Sequence, residues 1–113
     1  MEGKGTVRDA VISHLELLGS LELQAKYERD VKVADVPAEL VCGWFDDLDL
    51  PASASKLFVG DDLESVRAFN DFFEGAMKEL ANLTLSELHA RPLWRQVVDR
   101  ARQLSLQLER SAG

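Results

Sequence analysis

Residues 62–81 read DLESVRAFNDFFEGAMKELA, and this segment decides the fold class. Its apolar residues recur every three or four positions, so they form one wide face on a helical wheel. The opposite side carries i,i+4 pairs of opposite charge, such as Arg67 and Asp71. The segment therefore predicts a long amphipathic helix, whose apolar face consists of Val66, Phe69, Phe73, Ala76, Met77 and Leu80.

Three further segments show the same period. Apolar side chains fall on one helical face in residues 6–18, 37–48 and 92–109. The first of these segments has Thr6 as its N-cap, and the second begins with a proline. A capping box at residues 84–87, Thr-Leu-Ser-Glu, opens a short additional helix. These patterns predict helices throughout most of the chain.

The remaining segments are less regular. Residues 21–33 alternate like a strand but consist of helix formers, and no second alternating segment offers a partner strand. We therefore expect a short helix there, followed by an extended Val31–Val36. Residues 52–55 are expected to form a loop, and Asp61 or Asp62 to cap the long helix.

Together these patterns predict an all-α fold, a compact single-domain bundle of three long and about two short helices. The domain is expected to span residues 6–110, with flexible ends at residues 1–5 and 111–113. Trp44 and Trp94 lie on apolar faces and should both be buried.

Length and composition restrict the class of protein. The chain has 113 residues, of which 46% are hydrophobic and 29% charged, as in one ordinary globular domain. The single cysteine, Cys42, excludes an intramolecular disulfide. Neither a signal peptide nor a membrane span is recognisable, so a soluble cytoplasmic protein is expected. A pI near 4.7 disfavours binding to nucleic acid.

The negative charge is concentrated in one segment. The net charge of the chain is −7, and residues 35–64 alone carry eight acids against one base, Lys56, which is also −7. Such a field attracts a basic partner, holds a cation, or keeps the surface soluble. The acids are Asp35, Glu39, Asp46, Asp47, Asp49, Asp61, Asp62 and Glu64.

The acidic segment does not match a known metal loop. Asp47 and Asp49 alternate as in a calcium loop, but Leu50 and Pro51 follow where a glycine and further ligands are required. The sequence contains no nucleophile elbow, phosphate-binding loop or dinucleotide fingerprint. We therefore expect no enzyme activity, no catalytic residue, no metal and no cofactor.

Four residues outside the acids are candidates for a chemical or packing role. His14 falls on an apolar face and is expected to be partly buried and hydrogen-bonded, whereas His89 ends a short helix, where a cation interacts well with the dipole. Cys42 lies between acids that raise the pKa of a thiol and disfavour a nucleophilic role. Beside it, Gly43 would leave a shallow dent in the acidic face, into which another backbone or helix could fit.

The last helix carries a stripe of three arginines, Arg91, Arg95 and Arg102. They are expected to pair with the acidic segment, within the fold or across a possible homodimer, or to form a solvated face. On a chain of net charge −7 they are weak evidence for phosphate binding.

These observations favour a protein–protein interaction module that binds a partner with a basic surface, like an immunity protein, an antitoxin or a regulatory adaptor. The candidate partner-binding residues are Glu39, Gly43, Asp46, Asp47 and Asp49. The alternative is a small-ligand- or metal-dependent helical protein, a class that includes enzymes, which uses carboxylates of residues 39–49.

Three short motifs resemble a pattern found in small, uncharacterised bacterial cytoplasmic proteins. They are VPAELVCGWFDD at residues 36–47, FNDFF at residues 69–73 and LWRQV at residues 93–97. The resemblance covers about residues 20–100. It implies a small, soluble bacterial protein and carries no activity, cofactor or catalytic residue.

Overall fold

A computed structural model describes residues 6–33 and 35–112, and all regular structure in these ranges is helical. The predicted all-α class is confirmed. A π-helical turn, Gly43–Asp47, directly continues the third helix. The seven α-helices are α1 (Val7–Leu18), α2 (Leu21–Asp30), α3 (Val36–Cys42), α4 (Leu50–Leu57), α5 (Gly60–Leu80), α6 (Leu85–His89) and α7 (Pro92–Ala112).

Local side-chain chemistry fixes several helix starts as predicted. The Thr6 hydroxyl accepts a hydrogen bond of 3.1 Å from the backbone N–H of Asp9. At α6, Thr84 accepts from the Glu87 N–H at 3.1 Å, and the Glu87 carboxylate accepts from the Thr84 N–H at 2.9 Å. These bonds satisfy backbone donors that the first turn of a helix leaves without partners.

An aromatic cluster forms the centre of the core, where α7 packs against both α1 and α5. The ring centroids of Trp44 and Phe69 lie 5.1 Å apart, and those of Phe73 and Trp94 lie 6.2 Å apart. Both tryptophans are fully buried, as predicted. The Trp44 indole N–H donates to Oδ1 of the buried Asn70 at 2.6 Å, so its polar atom is satisfied.

The buried side chain of Gln24 joins four helices. Its Nε2 donates to the carbonyl oxygens of Leu17 and Leu18, at 3.1 and 3.0 Å. Its Oε1 accepts from Nε1 of Trp94 at 3.2 Å and lies 2.9 Å from Nε2 of His89. Because Gln24 is 0% exposed, this network fixes α2 against the end of α1 and against α6 and α7.

The predicted loop at residues 52–55 is wrong, since these residues belong to α4. Pro51 lies in the first turn of α4, where a backbone N–H would have no partner within the helix, so its absence does not destabilise α4. Leu50 and Ala54 then share a buried face that packs on α5. Packing overrides the loop-like composition, and the structure has more helices than predicted.

The predicted N-cap of the long helix is also wrong. The N-cap residue of α5 is Val59, whose side chain makes no capping bond. Asp61 and Asp62 lie inside the first turn. Oδ1 of Asp62 instead accepts from Gln107 Nε2 at 2.9 Å, so this acid links α5 to α7.

The predicted extended segment Val31–Val36 is wrong as well. Lys32 and Val33 form a turn, residue 34 lies outside the described residues, and α3 begins at Val36. The predicted flexible residues 1–5 and 113 also lie outside the described residues, and α7 continues through residues 111 and 112. None of the helices described is both long and apolar enough to cross a membrane.

Replacing Gln24 should test the buried network. Gln24→Met keeps the length of the side chain but leaves the Trp94 N–H and two carbonyl groups without this partner. We expect the free energy of unfolding to fall by about 2–4 kcal/mol, since each unsatisfied buried group costs about 1–3 kcal/mol. Urea denaturation measures the change. Gln96→Met on the exposed side of α7 is the control, and an equal effect of both variants would contradict the assignment.

Candidate functional site

A cleft of about 560 Å³ opens between α1, α2 and the continuous segment formed by α3 and the π turn. Its size lies within the range of about 300–1,000 Å³ typical of binding pockets. The cleft is lined by His14, Leu17, Leu23, Lys26, Tyr27, Asp30, Val31, Glu39, Gly43 and Asp47.

One wall of the cleft is mainly apolar and belongs to α2 and its C-cap. Leu23, Tyr27 and Val31 are four residues apart, so they follow one side of the helix. Leu23 remains 45% exposed and Val31 37% exposed. The Gln24 network holds α2 in place from its buried side, which leaves this apolar side open to a ligand.

The opposite wall is acidic and also follows a four-residue spacing. Glu39, Gly43 and Asp47 all line the cleft. The chain passes from α-helix to π-helix within this row, and the Leu48 N–H donates to the Gly43 carbonyl at 3.0 Å. Single π turns occur frequently at functional sites, so the position of this one on the wall is notable.

His14 and Leu17 of α1 also line the cleft, between its two walls. His14 Nε2 lies 2.8 Å from the Leu40 carbonyl oxygen, which can only accept, so Nε2 carries the proton and Nδ1 is an acceptor. Burial lowers the pKa of His14, although this hydrogen bond and the charge of Asp47 act in the opposite direction. The prediction of a partly buried, hydrogen-bonded histidine is confirmed, and the ring is neutral at pH 7.

A hydrogen bond connects the two walls. The Tyr27 hydroxyl donates to Oε1 of Glu39, and this bond, together with lost hydration and the nearby charge, raises the pKa of the phenol. On the α2 side, Lys26 Nζ and Asp30 Oδ2 form an ion pair of 2.6 Å. The lining thus carries Asp30, Glu39 and Asp47 against Lys26, a formal charge of −2.

The structure brings together three of the five predicted partner-binding residues, Glu39, Gly43 and Asp47. Asp46 is exposed beside the Cys42 thiol, outside the cleft lining. Asp49 is exposed and has a left-handed backbone, with φ 51°, immediately before α4.

The dent predicted at Gly43 has a different explanation. A Cβ at this position would clash with the His14 ring, lying 3.0 Å from its Nε2. The group that approaches Gly43 is therefore a side chain of α1 in the same chain, and the glycine allows α1 and the π turn to pack closely.

Cys42, His89 and two arginines of the stripe also have structural partners. Lost hydration and the acids around it, above all Asp46, raise the pKa of the Cys42 thiol, as predicted. Burial lowers the pKa of His89, so the neutral ring that contacts Gln24 is favoured rather than the expected cation. Two arginines of the stripe are bound locally: Arg95 donates to the His89 carbonyl at 3.2 Å, and Arg102 to Asp99 at 3.2 Å.

Sequence reasoning missed the contribution of α1 and α2 to the site. Leu23, Tyr27 and Val31 carry a signal, their four-residue spacing, but the alternation of residues 21–28 obscured it. Across residues 6–33 and 35–112, no three His, Cys, Asp or Glu side chains form a group that would hold a metal ion.

Comparisons with known proteins add no relative. The chain matches no protein-family model, no curated protein and no solved structure. The geometry of the cleft is therefore the basis on which a function is proposed.

Adding a methyl group at Gly43 should disturb the cleft. We expect Gly43→Ala to lower the free energy of unfolding by about 1–3 kcal/mol, because the His14 ring must move in a packed environment. Gly75→Ala is the matched control, since nothing lies within 4 Å of its added Cβ. Because Gly75 lies inside α5, Gly75→Ala should instead raise the free energy of unfolding by about 0.5–1 kcal/mol. Thermal denaturation shows whether each variant is less or more stable than the wild type. A stabilising effect of Gly43→Ala would contradict the close packing of His14 against Gly43.

His14 should make stability depend on pH. A lowered pKa means that the folded protein binds fewer protons than the unfolded chain, in which histidine keeps its usual value of 6.5. The contribution of the neutral His14 ring to the free energy of unfolding is fully present above pH 6.5. It is lost as the pH falls through the lowered pKa of His14 in the folded protein.

We therefore expect urea midpoints to fall between about pH 7 and pH 5, with a smaller fall in His14→Gln. His89, whose pKa is also lowered, contributes in the same direction, so each ring is followed by NMR titration. A His14 pKa above 6.5 would contradict the assignment.

Proposed function

We propose that this chain is a non-catalytic interaction protein that binds a basic partner protein through the cleft and the acidic surface beside it. One observation carries the proposal: a wall with two carboxylates, Glu39 and Asp47, faces a wall of exposed apolar side chains, Leu23 and Val31. An apolar centre with a charged rim is the usual composition of a protein–protein interface.

The charge distribution supports the same proposal. Residues 35–64 carry a net charge of −7. Within this segment, Asp46 and Asp49 are exposed and lie close in the chain to Asp47, which lines the cleft. An acidic field of this kind increases the rate of encounter with a basic partner and disfavours acidic ones. Immunity proteins, antitoxins and regulatory adaptors are analogies for such a role. A cytoplasmic location, expected from the sequence, belongs to this proposal.

A second candidate function uses the same cleft for a small cationic ligand. The volume of about 560 Å³ favours it, since ligands of moderate size occupy pockets of this order. Glu39 and Asp47 would then bind the charged group. The protein-binding proposal is stronger, because the acidic surface extends beyond the cleft to the exposed Asp46 and Asp49, which a small ligand in the cleft would not contact.

Charge reversal should test the protein-binding proposal. Reversing Glu39, Asp46 and Asp49 to Lys should slow association with a partner isolated by co-purification by about tenfold or more, because steering by the field is lost. Higher salt should slow the wild type in the same direction, with a Debye length of about 8 Å at physiological ionic strength. Stopped-flow kinetics provides both measurements.

The control reverses Asp71, Glu74 and Glu79, three exposed acids on the outer side of α5, which gives the same change of net charge. This variant should associate nearly as fast as the wild type. An unchanged on-rate in the first variant, without salt dependence, would show that the acidic surface only maintains solubility. Equal slowing in both would indicate a general charge effect.

A further inference from the structure

The acidic wall of the cleft has a defined spacing. Glu39 and Asp47 are eight residues apart, a rise of at most about 12 Å at the 1.5 Å per residue of an α-helix, because the π turn between them rises less per residue. About two helical turns therefore separate the two residues, so a separate cationic group is expected to pair with each carboxylate. The wall therefore offers two separate anionic positions, with Gly43 midway between them.

The space between the two anionic positions carries no charge. The neutral His14 ring packs against Gly43, so a ligand that passes over this position contacts the ring and Leu17. Across the cleft, Leu23 and Tyr27 provide the apolar side. The order along the cleft is thus a carboxylate, an uncharged gap lined mainly by apolar side chains, and a second carboxylate.

We propose that the cleft binds an amphipathic helix of the partner, with two cationic side chains two turns apart and one apolar side chain between them. Residues i and i+7 of a helix lie on one face about 10.5 Å apart, close to the spacing of the acids, and residue i+3 or i+4 then enters the gap. The proposal rests on the proposed function and specifies the recognised segment.

The cation at the Glu39 position is an arginine. Tyr27 donates to Glu39, so an aromatic ring and a carboxylate are adjacent at that end of the cleft. A planar guanidinium pairs with a carboxylate in a bidentate manner and stacks on an aromatic ring, which an ammonium group does less well. Either arginine or lysine suits Asp47.

A second copy of this chain does not provide this helix. Arg95 and Arg102 of α7 have the i,i+7 spacing, but Val98 between them is buried in the core. It is not available to enter the gap of another molecule. The occupant is therefore a helix of a different protein.

A peptide-display selection tests the spacing directly. The library presents peptides of about 16 residues on a helix-forming background, long enough to be partly helical, with the outward positions randomised. It is selected on the wild-type protein after removal of clones that bind a Glu39→Gln, Asp47→Asn double variant. We expect enrichment of Arg at one of the positions i and i+7, of Arg or Lys at the other, and of an apolar residue at i+3 or i+4.

Titrations with a synthetic copy of the most enriched peptide then test the residues. Glu39→Gln and Asp47→Asn should each weaken binding by about threefold to tenfold, as expected for partly exposed charge pairs. Asp71→Asn removes the same charge from an exposed position on α5, outside the cleft lining, and should change affinity less than twofold. Circular dichroism checks that all variants remain folded.

Enriched peptides without the two-turn spacing, peptides bound in an extended conformation, or no enrichment over the double variant would overturn the inference. Equal weakening by Asp71→Asn and Asp47→Asn would overturn it as well. The proposed function fails separately, through unchanged association of the charge-reversed variant with its natural partner. If binding of the natural partner depends on the acidic surface but not on the spacing of Glu39 and Asp47, the proposed function stands and the proposed helix is wrong.

Discussion

The arrangement of helices depends on the buried amide of Gln24. An amide in an apolar interior costs free energy unless both of its ends are hydrogen-bonded, and here all its partners are supplied by α1, α6 and α7. The bonds fix α2, of which Gln24 is the fully buried residue. Because α2 provides the apolar wall, the shape of the cleft follows from the satisfaction of this one side chain.

A second constraint acts at the other wall. The His14 ring packs against Gly43 and hydrogen-bonds to Leu40, so α1 fixes both α3 and the π turn. The absence of a side chain at Gly43 allows this approach and separates Glu39 from Asp47. One glycine therefore contributes to packing and also determines the spacing of charge along the cleft.

The electrostatics of the site follow from this packing. Burial keeps His14 neutral, so the cleft retains the negative charge of Glu39 and Asp47 without a compensating imidazolium. Tyr27 holds Glu39 by a hydrogen bond, which orients the carboxylate before any ligand arrives. Preorganised charge beside exposed apolar surface is the arrangement that the proposed recognition of a partner protein requires.

The sequence by itself determined the all-α class, the four helices with a strong apolar period and the burial of both tryptophans, because these features depend on residues close in the chain. It also grouped Glu39, Gly43 and Asp47 with Asp46 and Asp49 as candidate binding residues, since one segment of the chain carries all five, but it did not separate the three that line the cleft from the two that do not. It missed α4, whose Pro-Ala-Ser composition resembles a loop until Leu50 and Ala54 pack on α5. Only the tertiary structure brought α1 and α2 to these acids, because contacts such as His14 with Leu40 join residues distant in the chain, and local patterns carry no information about them.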